Sequence, residues 1–111
     1  MRILVVEPME SPYIKDIEST LEEMQSIVGG LIQAIYPFDD PEIALICNDE
    51  GKLLNMPLNR ALYNNGKIYD IIAGTFFLCQ VPADSENFES LTDEQIQKYS
   101  KKYKYPELYI K

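Results

Sequence analysis

Ile14, Ile17, Leu21, Met24 and Val28 recur at spacings of three and four, and no other stretch of the chain constrains its fold as tightly. Side chains at those intervals share one side of a helix with ~3.6 residues per turn. The spacing therefore predicts an amphipathic helix over Tyr13 to Val28. Lys15, Asp16, Glu18, Glu22, Glu23 and Gln25 fall on its other side. Ser11-Pro12 supplies an N-cap and first-turn pair, and Gly29-Gly30 a stop.

Such a stripe needs a surface to cover, and the rest of the chain offers strands. Arg2 to Val6 is β-branched and continuously apolar after the arginine, the pattern of a buried strand. Leu31 to Tyr36 and Glu42 to Cys47 read as a hairpin joined by Pro37-Phe-Asp-Asp-Pro41. Asn48-Asp-Glu-Gly51 is a turn returning the chain through a short strand at Lys52 to Leu54. Pro57 to Tyr63 is ambiguous and has room for one helical turn. Asn65-Gly66 marks a turn, since both residues tolerate positive φ. Ile68 to Val81 reads as one long central strand, with Gly74 marking a bulge or a close backbone approach. Thr92-Asp-Glu-Gln95 has the spacing of a capping box and opens a last helix whose Ile96, Tyr99 and Tyr103 share a side. The expected fold class is α+β: one domain over residues 1–111, with a mixed or mostly antiparallel sheet of about five strands and two helices packed on it.

The chain's 111 residues are 46% hydrophobic, enough to build a core without disulfide or metal. Cys47 and Cys79 lie in apolar runs and are expected to be buried thiols. Met1-Arg2 leads directly into a β-like run with no leader-like apolar segment, and no stretch reaches the ~20 apolar residues of a membrane span. A reducing cytoplasm is the expected setting. Charge is uneven: residues 1–97 carry 17 acids against 5 bases, a net of −12, whereas residues 98–111 carry 5 lysines against Glu107, a net of +4. An acidic body repels nucleic acid and membrane surfaces and favours basic protein partners. From about residue 92 the chain becomes a basic helix and tail rich in tyrosine and lysine.

Histidine is absent, which removes the commonest general base, metal ligand and triad member. That excludes Ser-His and Cys-His hydrolases and leaves only acid- or lysine-based chemistry open. No phosphate-loop glycine motif occurs, and the two cysteines, 32 residues apart without histidine, cannot complete a structural zinc set. No cofactor or metal is expected. Asp39-Asp40 offers half of a Mg²⁺ site, but aspartates flanked by prolines more simply form a turn. Asn59-Arg60 holds the only arginine beyond residue 2; it can grip a phosphate or carboxylate, or serve as a structural ion pair. Tyr99, Tyr103, Tyr105 and Tyr109 alternate with lysines, a pattern that suits either single-strand stacking or packing of Tyr99 and Tyr103 on the sheet.

The acidic side of the expected helix invites comparison with DNA. Sixteen residues at ~1.5 Å each span ~24 Å, over which one strand presents about seven charges at ~3.4 Å spacing. Asp16, Glu18, Glu22 and Glu23 less Lys15 give a net of only three. Alone the helix is too sparse.

Ile27-Val-Gly-Gly30, Tyr36-Pro-Phe-Asp-Asp40, Cys47-Asn-x-x-Gly-Lys52, Pro57-x-Asn-Arg-Ala-Leu62 and Tyr69-Asp-Ile-Ile-Ala-Gly-Thr-Phe76 together carry a resemblance. From about residue 2 to residue 104 the chain resembles a domain family of unknown function found widely on conjugative elements, plasmids and phages of Gram-positive bacteria. The resemblance implies an accessory gene of a mobile element, where small acidic proteins often act in counter-defence, including anti-CRISPR and antirestriction proteins. It carries no active-site residue with it. The leading expectation is a non-enzymatic protein that binds and inhibits a host defence nuclease or its guide-RNA complex, meeting a basic groove through Asp16, Glu18, Glu22 and Glu23. The alternatives are a nucleotide-signal binder using Asn59 and Arg60, and a regulatory module of the element itself.

Overall fold

The structure, a computed structural model, describes residues 1–84 and 87–108. Its centre is a five-stranded antiparallel sheet in the order β2-β1-β7-β4-β3. These strands are β1 (Arg2–Val6), β2 (Tyr13–Asp16), β3 (Ile32–Ile35), β4 (Ile43–Asn48) and β7 (Phe76–Gln80). A second, two-stranded sheet pairs β5 (Leu58–Asn64) with β6 (Lys67–Ala73). Two helices, α1 (Leu21–Val28) and α2 (Asp93–Lys102), complete the α+β fold.

The apolar runs are continuous because β1, β7 and β4 are covered on both sides. Along each strand successive side chains alternate between faces. Ile3, Val5, Ala44, Ile46, Phe77 and Cys79 pack with Met24 and Val28 of α1 on one face. Leu4, Val6, Ile43, Leu45, Phe76 and Leu78 face the other way, against Leu62 and Ile72 of the hairpin and Ile96, Tyr99 and Tyr103 of α2. The sheet is thus sandwiched between α1 and a layer made of α2 and the β5–β6 hairpin.

The expected helix over Tyr13 to Val28 is corrected at its start. Residues 13–16 instead form β2 on the edge of the sheet, with Tyr13 opposite Val5 and Asp16 opposite Arg2. Thr20 caps α1, its hydroxyl accepting from the Glu23 amide at 3.2 Å. Ile17 is still buried on the α1 side, but it reaches that position from a turn, with its amide donating to the Met1 carbonyl at 2.8 Å. Helical spacing in that stretch therefore arises from a strand, a turn and a helix that happen to bury Ile17, Met24 and Val28 on one face.

Three further expectations change. Residues 52–54 form turns and no strand. Pro57 to Tyr63 holds no helical turn and is mostly β5. The long run from Ile68 to Val81 is two strands in different sheets, β6 and β7, separated at Gly74. Gly74 has φ +85°, and a Cβ there would lie 2.7 Å from the Met56 sulfur. Only glycine makes this crossing without strain. Asn65-Gly66, with φ of 53° and 78°, closes the β5–β6 hairpin as its composition indicates. The capping box at Thr92 and Gln95 is present in full. No helix among the described residues is long and apolar enough to cross a membrane.

Candidate functional site

Asp16, Glu18, Glu22 and Glu23 follow one another within eight residues, but on three kinds of structure. Asp16 ends the edge strand β2, Glu18 lies in the following turn, and Glu22 and Glu23 occupy the first turn of α1. There they favour the helix N-terminus through its partial positive charge. Asp16, Glu18 and Glu22 are exposed and Glu23 is half-buried. None of the four is in an ion pair among the described residues, whereas Arg2 pairs with Asp93 and Lys52 with Asp70. Exposed apolar side chains sit among these acids: Tyr13 and Ile14 on β2, and Leu21 opening α1. The result is an acidic rim with apolar contacts beside a strand edge that has no neighbour on its outer side among the described residues.

Asn59 and Arg60 are both buried, with 0% of either surface exposed. The Asn59 amide donates to the carbonyls of Val6 and Gly74, each at 2.9 Å, holding the hairpin to the end of β1 and to the crossing into β7. Its own oxygen accepts from Arg60 Nη1 at 2.8 Å. Arg60 Nη2 donates to the carbonyls of Glu10 at 2.6 Å and Tyr103 at 2.9 Å. The guanidinium thereby gathers the loop after β1, the strand β5 and the end of α2. Neither side chain of this pair presents surface to a ligand. Its geometry is that of an internal tie made through carbonyls, and the sequence alternative of phosphate capture by Asn59 and Arg60 gains no support from it.

The cysteines are free and buried on opposite faces of the sheet. Burial, with help from Asp70 and Asp49, pushes the Cys47 thiol up to about 11. Burial alone pushes Cys79 up to about 12. A nucleophilic thiolate is therefore scarce at neutral pH. Asp40 behaves as a turn former, its carboxylate accepting from the Glu42 amide at 3.0 Å. Among the described residues no three His, Cys, Asp or Glu side chains are grouped to hold a metal. Tyr99 and Tyr103 are core residues: Phe38 lies 4.7 Å from the Tyr99 ring centroid, and Phe76 lies 5.4 Å from that of Tyr103. Tyr105 is exposed, and Tyr109 lies outside the described residues.

Shallow clefts mark the surface, three of them beside residues discussed above. One of about 160 Å³ is lined by Gln33, Cys47, Asp49, Glu50 and the Lys52–Asp70 pair. An apolar groove of about 310 Å³ runs between Ile27, Val28, Met56, Pro57 and Gly74. The third, of about 220 Å³, joins Phe38 and Asp39 to Tyr63 and to Lys98, Tyr99 and Lys102 of α2. Sequence reasoning did not assemble this last set. The four-residue interval between Lys98 and Lys102 was its only local signal. Comparison with curated proteins and with solved structures finds no match. Residues 1–104 match the family described as Domain of unknown function (DUF3846), and the chain belongs to that family.

Proposed function

We propose that this is a non-enzymatic accessory protein of a mobile element that acts in the bacterial cytoplasm. It binds a host defence nuclease, or that nuclease's guide-RNA complex, and inhibits it through the rim formed by Asp16, Glu18, Glu22 and Glu23. The observation that carries the reading is that these four carboxylates have no ion-pair partner among the described residues. Charge left uncompensated in the free protein is available to a basic groove, where complementarity speeds encounter and favours the right partner. Tyr13, Ile14 and Leu21 give the rim the apolar contacts that interface centres require. The lack of histidine and the protonated thiols favour binding over chemistry.

Pull-down of the tagged chain from a host lysate, with mass spectrometry and nucleic-acid analysis, identifies the partner. Its association rate with the purified chain should then fall with salt, as the Debye length shrinks from ~10 Å at 0.1 M to ~3 Å at 1 M. Reversing Asp16, Glu18 and Glu22 to lysine should slow association and abolish inhibition. The fold should survive, because exposed substitutions cost under ~0.5 kcal/mol each and Glu22 adds a helix-dipole term of ~0.3–1 kcal/mol. Capture of proteins of the mobile element itself, or inhibition unchanged by the triple reversal, would rule the proposal out.

A further inference from the structure

The two edges of the five-stranded sheet are built differently. β2 carries Lys15 and Asp16, follows Pro12 and precedes Glu18. Charges and proline of this kind keep an edge strand from pairing with other chains. β3 carries no such guard. From Met24 to Phe38 no residue is charged, and these fifteen residues are the longest uncharged run in a chain that is 25% charged. The run covers the last turns of α1, the glycines after it and all of β3. Flanking β3 are Leu31 and Tyr36, 57% and 54% exposed.

An edge strand also leaves backbone groups open, and the register identifies them. The Asp49 amide donates to the Leu31 carbonyl at 2.8 Å, and further along the same ladder Gln33 stands opposite Cys47 and Ile35 opposite Leu45. Hydrogen-bonded pairs alternate with non-bonded ones between antiparallel strands. The amides and carbonyls of Gln33 and Ile35 therefore turn to β4. Those of Ile32 and Ala34 turn outward, with Tyr36 next in the same row. No strand lies on that side among the described residues. Pro37, which has no amide, falls in the inward row, so it ends the ladder with β4 without interrupting the outer edge. By the same alternation Ile32, Ala34 and Tyr36 share the α1 face, on which Ile32 packs, while Ile35 packs on the other.

What fits this edge is another extended and uncharged strand. A basic partner finds no carboxylate on β3, and an acidic one no cation. A second copy brings a net charge of −8 of its own, so two copies repel where their acids meet and come together most readily along an uncharged surface. Turned about a two-fold axis through Ala34, β3 complements itself. The two Ala34 residues exchange both backbone bonds, and Ile32 of each copy exchanges both with Tyr36 of the other. The small, exposed Ala34 side chains meet at the axis. On either side a tyrosine lies across an isoleucine, the aromatic and β-branched pairing that stabilises sheets. We propose that β3 pairs antiparallel with β3 of a second copy. The product is a closed two-fold dimer with one continuous ten-stranded sheet, five strands from each copy. The two β2 edges then lie ~43 Å apart, at nine strand spacings of ~4.8 Å. This pairing leaves both acidic rims open at the far ends and does not depend on what they bind.

The test is sedimentation equilibrium of the full chain from micromolar to millimolar concentration. It should show a monomer–dimer equilibrium with a dissociation constant on the order of 10–100 µM, as suits a contact at the low end of interface area. Sodium chloride should tighten the dimer, because screening reduces the repulsion between the two net charges. Ala34→Glu sets two carboxylates opposite each other at the axis and should weaken the dimer about tenfold or more. Ile14→Glu adds the same charge at the β2 edge, from a side chain that is also exposed, and should change the affinity less than about twofold. Hydrogen exchange of the unmodified chain gives a reading that needs no variant to fold. The amides of Ile32, Ala34 and Tyr36 should slow as concentration rises, and those of Ile14 and Asp16 should not. A monomer at millimolar concentration, assemblies larger than a dimer, or a dimer weakened by salt would overturn the proposal. So would a dimer that Ala34→Glu leaves intact or that Ile14→Glu weakens equally, or exchange at the three β3-edge amides that ignores concentration.

Discussion

Replacing Arg60 by alanine should destabilise the protein by about 3–5 kcal/mol, the range for breaking a buried charged contact. The guanidinium is 0% exposed and donates to Asn59 Oδ1 and to the carbonyls of Glu10 and Tyr103 at 2.8, 2.6 and 2.9 Å. Each charge-assisted bond contributes roughly 1.5–3 kcal/mol, so three would sum to about 4.5–9 kcal/mol if they were independent. They are not independent, because one planar guanidinium makes all three, and Glu10 is exposed, so its carbonyl can turn to water once the arginine is gone. That relief lowers the loss towards the quoted range. Domains of this size have only ~5–15 kcal/mol in total. Urea unfolding followed by tyrosine fluorescence and circular dichroism measures the change. With a slope of ~2 kcal/mol per molar, the midpoint should fall by roughly 1.5–2.5 M. Arg60→Lys should recover only part of this, since one ammonium cannot span acceptors set for a planar fork. A loss below about 1 kcal/mol with the fold intact would refute the internal-tie reading, because exposed or idle side chains give changes of that size. Arg60 would then be open again to a role in binding.

Two more expectations concern titration and backbone. The thiols of Cys47 and Cys79 rise from 9.0 to about 11 and about 12, so the unfolded chain releases these protons first as pH climbs. Their contribution is complete below pH 9 and is lost between pH 9 and 12, so stability should decline across that window and decline less steeply in Cys79→Ala. Rapid labelling of either thiol in the native protein at pH 8 would contradict this. Gly74→Ala forces an L residue to φ +85° and drives a Cβ to 2.7 Å from Met56. The backbone part alone costs ~1–2 kcal/mol, and Met56→Ala should restore only the steric part. An unchanged melting temperature in Gly74→Ala would show that the crossing from β6 to β7 does not need glycine.

The parts of the fold legible in the sequence are those where one local rule acts without competition. β1 and β4 announce themselves because both of their faces are buried, and α2 because Thr92 and Gln95 form both halves of a capping box. The start of α1 was misread because two caps compete. Ser11-Pro12 is a good helix opening, yet Thr20 with Glu23 three residues later is the one used. What decides between them is the pairing of Tyr13–Asp16 with β1, a long-range contact that no window of sequence contains. β5 stayed hidden because Asn59 and Arg60, both polar, occupy its most buried positions. Burial of that pair depends on carbonyls supplied by Val6, Glu10, Gly74 and Tyr103, all remote in sequence. The cleft beside α2 was equally out of reach, since the sequence shows the lysines but not that Asp39 and Tyr63 stand opposite them.

The arrangement of layers separates the two charged regions. α1 packs on one face of the five-stranded sheet and α2 on the other, so the acids opening α1 and the lysines ending α2 are divided by the buried strands β1, β7 and β4. Those strands are close-packed on both sides, and packed interiors do not deform continuously. Two sites so divided affect each other only if some element between them has two arrangements that both ligands distinguish. The central strands offer no such element, because every residue from Ile43 to Asn48 is buried and paired with β7, with β3 or with both. Reversal of Asp16, Glu18 and Glu22 should therefore leave the NMR signals of Lys98 and Lys102 unchanged. Links around the sheet include Arg60 and Ser11, both of which join the loop preceding β2 to the end of α2. If the signals of α2 do respond to that reversal, the response should weaken in Arg60→Lys, which retains the charge but not the fork.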